Sequence, residues 1–248
     1  MYQGAQTGPH HRAASPGRIT GPLAPRGHGD GPGRAARAGY RNTVTTARHA
    51  AAGRGTAEAP AEFRRRLLDG MAAAIRERGY RESTVADVVR HARTSRRTFY
   101  EHFTSKQACF IALLHEANAA MVRRIAAAVD PYAPWEAQAR QAIEAWIASA
   151  QSEPALTLSW IREIPSLGDD ARQLQRESLE AFVVLTQTLT DTPGLRAAGI
   201  TPPPRQYAIM LLGGLRELIA TTVEDGGEIA GITEVAVQAT MAMLGPRR

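Results

Sequence analysis

The chain has little of what most chemically active classes need. It contains one cysteine, Cys109, which excludes an internal disulfide and any cysteine-built metal cluster and fits a reducing cytoplasm. Cys109 falls among apolar residues and reads as an inert buried thiol. No stretch approaches the roughly 18–20 uninterrupted apolar residues of a membrane span, and no apolar run near the N-terminus resembles a secretory signal. The expectation is a cytoplasmic protein without a membrane partner. Gly-x-Ser-x-Gly, a Walker loop and His-Glu-x-x-His are all missing, so no enzyme and no cofactor are expected. Four of the seven histidines (His10, His11, His28 and His49) lie near the N-terminus at loose spacings that define no metal site. No segment sustains period-two alternation between turn signals, so no sheet is expected.

What the chain does have is charge, unevenly placed. Residues 1–60 carry eight arginines against Asp30 and Glu58, a balance of +6. Residues 61–106 carry eleven basic and six acidic side chains, +5, and residues 107–248 eleven basic and sixteen acidic, −5. A basic N-terminal part ahead of an acidic remainder points to a polyanionic partner for the former. Residues 1–60 are rich in Gly, Pro, Ala and Arg. They hold too little apolar surface to offset the entropy of ordering, and are expected to be a disordered basic tail. Val44 is a candidate translation start within it.

From Ala61 the pattern is helical. Phe63, Leu67, Met71 and Ile75 recur every four residues on one face, and Gly79 is placed to end that helix. Short helices follow around Val85–Val89 and Phe99–Phe103. A long one starts near Ser105, runs past Ile125 and stops before Pro131 and Pro134. Further helices are expected at 135–151, 154–164, 169–190, 203–223 and 229–244. The fold class is all-α: a three-helix N-terminal domain at 61–106 and a helical bundle at 107–248.

The segment from Thr84 to Phe103 carries the most information. Thr84 with Asp87 three residues on makes a capping-box start, and Ser95 is a good N-cap for the next helix. Two short helices joined by Arg93-Thr94-Ser95 make a helix-turn-helix, whose second helix enters the major groove of DNA. Arg96 and Arg97 stand in its first turn, where a guanidinium fork can bond O6 and N7 of guanine together. Tyr100 and Lys106 are placed to reach phosphates, and Phe99 and Phe103 to pack inward.

Thr84, Val85, Ala92, Ser95, Thr98, Phe99, Tyr100, Phe103, Ser105 and Lys106, with Arg78-Gly79-Tyr80 before them, resemble the signature of the TetR (tetracycline-repressor-like) family. Where that family has Gly-Val in the turn, this chain has Arg93-Thr94, so Arg93 must take a glycine-like conformation at a cost of about 1 kcal/mol. The resemblance implies that Thr84, Ser95, Tyr100 and Lys106 touch phosphates. It also implies that Arg96, Arg97, Thr98 and His102 face bases or the groove wall.

The resemblance further implies that residues 107–248 bind a small-molecule effector and form a homodimer on a palindromic operator, the chain acting as a repressor that the effector releases. Candidate pocket residues are the large side chains on apolar helices: Met121, Trp146, Trp160, Phe182 and Tyr207. The acidic balance of 107–248 favours a neutral or cationic effector. Gly213-Gly214, in an apolar helix, invites close approach of a second helix, as in a dimer bundle with the last helix or, alternatively, in burial against the pocket helices of the same chain. The alternative is an architectural DNA-binding protein without an effector, and an apolar pocket in the second domain would separate the two.

Overall fold

The computed structural model describes residues 52–246, with side chains from Pro60 onward. Nearly all of the expected tail therefore lies outside the described residues. The helices are α1 Ala52–Glu82, α2 Val85–His91, α3 Arg96–His102, α4 Lys106–Ala128, α5 Trp135–Ser152, α6 Pro154–Arg162, α7 Asp169–Thr190, α8 Pro193–Ala197, α9 Arg205–Glu224 and α10 Thr233–Leu244. Short 3-10 turns at Ile164–Ser166 and Ile229–Ile232 precede α7 and α10. No strand occurs among the described residues.

Three local features differ from the expectation. First, α1 begins at Ala52 and passes through Pro60 rather than starting at Ala61, helped by the strong helix formers Ala52, Ala57 and Ala59. Second, α8 is additional. Pro193-Gly194 reads as punctuation, yet Thr192 caps a short helix through its Oγ1, which accepts from Leu195 N at 3.2 Å, and buried Leu195 and Ile200 pin it. Third, the last segment opens as a 3-10 turn around Gly231 before α10 begins. Gly79 interrupts α1 as expected, at φ 76°.

The apolar residues form two clusters. One gathers Leu67, Met71, Ile75, Val88, Phe99 and Phe103 of α1–α3 and continues through Cys109, Phe110 and Leu114 of α4 to Leu156 of α6 and Leu174 of α7. The other lies among α5, α7, α9 and α10 around Trp146, Leu211, Ile219 and Val237. The core of the N-terminal head therefore does not stop at Lys106, because α4, α6 and α7 contribute to it. Trp160 packs against both clusters. At roughly 25 cal/mol per Å2 of apolar surface withdrawn from water, such burial is the dominant favourable term holding head and body together. Two ion pairs reinforce the junction, Arg76 to Glu153 and Arg81 to Glu163, both at 2.8 Å.

Candidate nucleic-acid interface and ligand cavity

Local hydrogen bonding builds the head. Thr84 caps α2: its Oγ1 accepts from Asp87 N at 3.3 Å, and Asp87 Oδ2 accepts from Thr84 N at 3.0 Å and from its hydroxyl at 2.7 Å. These bonds, the hydroxyl's first, lower the Asp87 carboxyl to about 2. The turn places Arg93 at φ 49°, the left-handed conformation required of it. Arg66 grips this turn, donating to Ala92 O at 2.6 Å and Arg93 O at 2.7 Å. Ser95 then caps α3 by accepting from Thr98 N at 3.0 Å. Gly70 completes the frame: a Cβ there would lie 2.6 Å from Val88 O and 3.0 Å from Ala92 N, so only glycine lets α1 and α2 approach this closely. Gly70 and Arg66 had no local signature, since their roles exist only once α1 meets α2.

Phe99 and Phe103 are buried, which turns the opposite face of α3 to solvent. Arg96, Arg97, Ser95 and Tyr100 are exposed there, and Thr98 and His102 are half-buried. The Arg97 side chain is 90% exposed and bonds Glu101 at 3.1 Å, one helical turn on. An exposed pair of this kind contributes little and is readily exchanged. Thr84 is also exposed, at the start of α2.

Lys106, the only lysine in the chain, is held by carbonyls of the protein itself. Its ammonium donates to Tyr80 O and Ser83 O, both at 2.9 Å, and to Arg81 O at 3.3 Å. It also lies 4.3 Å from the centroid of the Tyr80 ring, which stacks on Phe110. All three donors of the ammonium are thereby used, and burial lowers its pKa. The fold brings the carbonyls leaving α1 to Lys106, a contact that no local pattern announces.

The body holds a partly open cavity of about 180 Å3 between α4, α5, α6, α7 and α9. Met121, Trp146, Trp160 and Phe182 line it together. Tyr207 does not: it is part-exposed near the start of α9 and faces neither this cavity nor a neighbouring one of about 60 Å3. The one-letter pattern could not tell which end of α9 the cavity reaches. The charged residues of the lining are Arg124, Arg216 and Glu153, and Glu153 is paired with Arg76. The lining is thus net positive, opposite to the neutral or cationic effector that the acidic balance favoured. Most acidic side chains lie on the outer surface, as Glu217 and Glu224 do, both bound to Arg162. Cys109 is fully buried, and burial pushes its thiol up to about 12, which makes it inert.

Residues 67–113 match the family model of bacterial regulatory proteins, tetR family. The fold is similar to that of the fatty acid degradation regulator FadR from Bacillus halodurans (TM-score 0.64, 17% identity, 75% of this chain and 97% of that one). It is also similar to FadR from Bacillus subtilis, solved in complex with stearoyl-CoA (TM-score 0.62, 18% identity, 74% and 98%). The reduced form of Escherichia coli NemR is a third (TM-score 0.58, 19% identity, 74% and 98%). None of the curated proteins compared matches the chain.

Proposed function

We propose that this chain, which belongs through its DNA-binding head to the tetR family of bacterial regulatory proteins, is a homodimeric repressor released from a palindromic operator by a small molecule. The observation that carries this reading is the cavity in the body: two of its walls, α4 and α6, also supply Leu114 and Leu156 to the core of the head. A ligand that shifts α6 acts on α1 through Glu153 and Arg76, and one that shifts α4 acts on the helix-turn-helix directly. An architectural DNA-binding protein has no use for such a cavity. The bound stearoyl-CoA of the Bacillus subtilis relative supports the same reading.

On DNA, Arg96 and Arg97 read base edges. Thr98 and His102 line the groove, and Thr84, Ser95 and Tyr100 contact the backbone. The dimer uses the outer faces of α9 and α10. Gly213 and Gly214 have open space where a Cβ would stand, and Met210 and Val235 are exposed beside them on α9 and α10. A second copy covering this face explains two helix-weakening glycines in an apolar helix.

Selection of bound DNA from a random pool tests the proposal. The expected product is a palindrome whose half-sites place the two recognition helices about 34–36 Å apart, or a multiple of it. Arg96→Ala and Arg97→Ala each weaken the best site by about 1–3 kcal/mol and relax preference at the bases they read. A non-palindromic product, or a selected site unchanged in both variants, removes the proposed readout.

A further inference from the structure

Four polar side chains in the walls of the cavity make no hydrogen bond or ion pair among the described residues: Asn118 and Arg124 on α4, Arg124 being exposed, and the two more withdrawn groups, Ser178 and Arg216. Ser178 Oγ on α7 is buried and has no hydrogen-bond partner. Other hydroxyls nearby turn back onto their own helices: Ser149 donates to Ala145 O, Thr186 to Phe182 O and Thr190 to Thr186 O. A serine in a helix has the same option, and Ser178 does not take it. Arg216 on α9 is the second group. Its guanidinium packs over the Trp160 ring, 5.6 Å from the centroid, and among the described residues it forms no ion pair and no hydrogen bond. Burial lowers its pKa, and no carboxylate of the described residues lies within ion-pair distance of it. Arg216 is half-buried; a guanidinium partly withdrawn from water without an anion carries a cost, and it is the side chain best shaped to hold an oxyanion by two parallel bonds.

The neighbouring cavity has the opposite character. Trp146 and Phe182 border both. Its amide and hydroxyl side chains are bonded internally: Gln138 donates to Ala133 O and Pro131 O, and Thr186, Thr190 and Thr240 each bond the carbonyl four residues back. The rest of the lining is mostly hydrocarbon, from Ile125, Leu185, Leu189, Leu211 and Leu215, with the indoles of Trp135 and Trp146.

Resting on the ligand-sensing reading above, we infer that the effector is an amphipathic carboxylate. Its head accepts hydrogen bonds from the Arg216 guanidinium and the Ser178 hydroxyl, and its hydrocarbon tail passes Trp146 and Phe182 into the second cavity. The larger cavity thus supplies charge recognition and the smaller one measures chain length.

The test uses the full chain and four probes below micelle-forming concentration: dodecanoate, dodecanol, dodecyltrimethylammonium and dodecanoyl-coenzyme A. Binding is read by tryptophan fluorescence and by calorimetry, and each probe is also added to a complex with selected operator DNA. Dodecanoate should bind at least about tenfold tighter than dodecanol, as an added charge-assisted hydrogen-bond pair requires, and the ammonium should bind weakest. Arg216→Gln should weaken dodecanoate at least about tenfold and leave dodecanol unchanged. Arg216→Lys should recover part of the loss, and Ser178→Ala should cost several-fold. Unperturbed operator binding by the variants without ligand shows that they are folded. Equal binding of the ammonium, failure of all four probes, or dodecanoate affinity unchanged in Arg216→Gln overturns the assignment. So does a coenzyme A thioester that outbinds dodecanoate and ignores Arg216→Gln. If a neutral or cationic probe binds and releases operator, the sensor reading stands and the carboxylate falls. If dodecanoate binds as assigned and operator affinity is unchanged, the carboxylate site stands and the sensor reading falls.

Discussion

The head and the body use their polar side chains in opposite ways. In the head, Thr84 and Asp87 cap each other, Arg66 closes the α2–α3 turn, and Lys106 fills three carbonyls. Outside the exposed face of α3, little is left over. In the body, Ser178 and Arg216 face a cavity without hydrogen-bond partners, and Gly213 and Gly214 face open space. A groove reader must hold its recognition helix rigidly, so its polar groups are consumed in fixing α2 and α3. A sensor must bind something, so its polar groups wait. Where side chains are satisfied marks structure, and where they are not marks partners.

The two regions should therefore answer the same substitution differently. Gly70→Ala forces a Cβ to within 2.6 Å of Val88 O and should lower stability by about 1–3 kcal/mol through overpacking, taking DNA binding with it. Gly214→Ala meets nothing within 4 Å of its own protomer and should stabilise the isolated protomer by up to about 1 kcal/mol, while weakening the proposed dimer whose partner helix approaches this face. Thermal melts of the two variants make the comparison; equal losses would erase the contrast between a packed head and an open body face.

Lys106→Met comes next. It keeps the apolar stem and leaves the carbonyls of Tyr80, Arg81 and Ser83 without their charged donor, at a cost of about 1–3 kcal/mol. The melting temperature should fall while the salt dependence of DNA binding stays as it was. A salt slope smaller by about one with an unchanged melt would return Lys106 to the phosphates.

Acid should act on the head through Glu77, which accepts hydrogen bonds from Arg90 and His91 and is lowered from 4.5 to about 2, the Arg90 bond being the largest cause. A carboxyl depressed in the folded state contributes stability that is complete above its unfolded value near 4.5 and is lost as pH falls through about 2. Stability should decline between those limits, and Glu77→Gln should flatten the decline, as followed by denaturant titration at a series of pH values. A variant whose acid profile matches the parent would place the sensitivity elsewhere.

The smallest effect is expected at Arg93. Held at φ 49°, it bears a left-handed conformation that costs a non-glycine residue about 1 kcal/mol or more. Arg93→Gly relieves this and adds backbone entropy to the unfolded chain, so the net gain is up to about 1 kcal/mol. A destabilised Arg93→Gly would mean that the arginine side chain supports the turn.

How much could be read beforehand follows the same division. Thr84, Ser95, Phe99 and Phe103 declared themselves because caps and four-residue spacings are local, and the strain at Arg93 followed from one departure in a local pattern. The carbonyl contacts of Lys106 carried no local signal because its acceptors, 23 to 26 residues away in the chain, come near only when α1 folds onto α4. In the body, side-chain size on apolar helices leads to Met121, Trp146, Trp160 and Phe182, which line the cavity. Tyr207 has the same size and lies elsewhere, since size does not report helix rotation. Ser178 and Arg216 carried no signal at all: an unsatisfied hydroxyl and an unpaired guanidinium are properties of their surroundings.

The account stands most directly on coupling between the cavity and the recognition helices. Operator affinity, measured by anisotropy of labelled selected DNA with and without dodecanoate, should fall when the cavity is filled. Because coupling is reciprocal, saturating operator should weaken dodecanoate by the same factor. Full occupancy of the cavity with operator affinity unchanged would contradict the account.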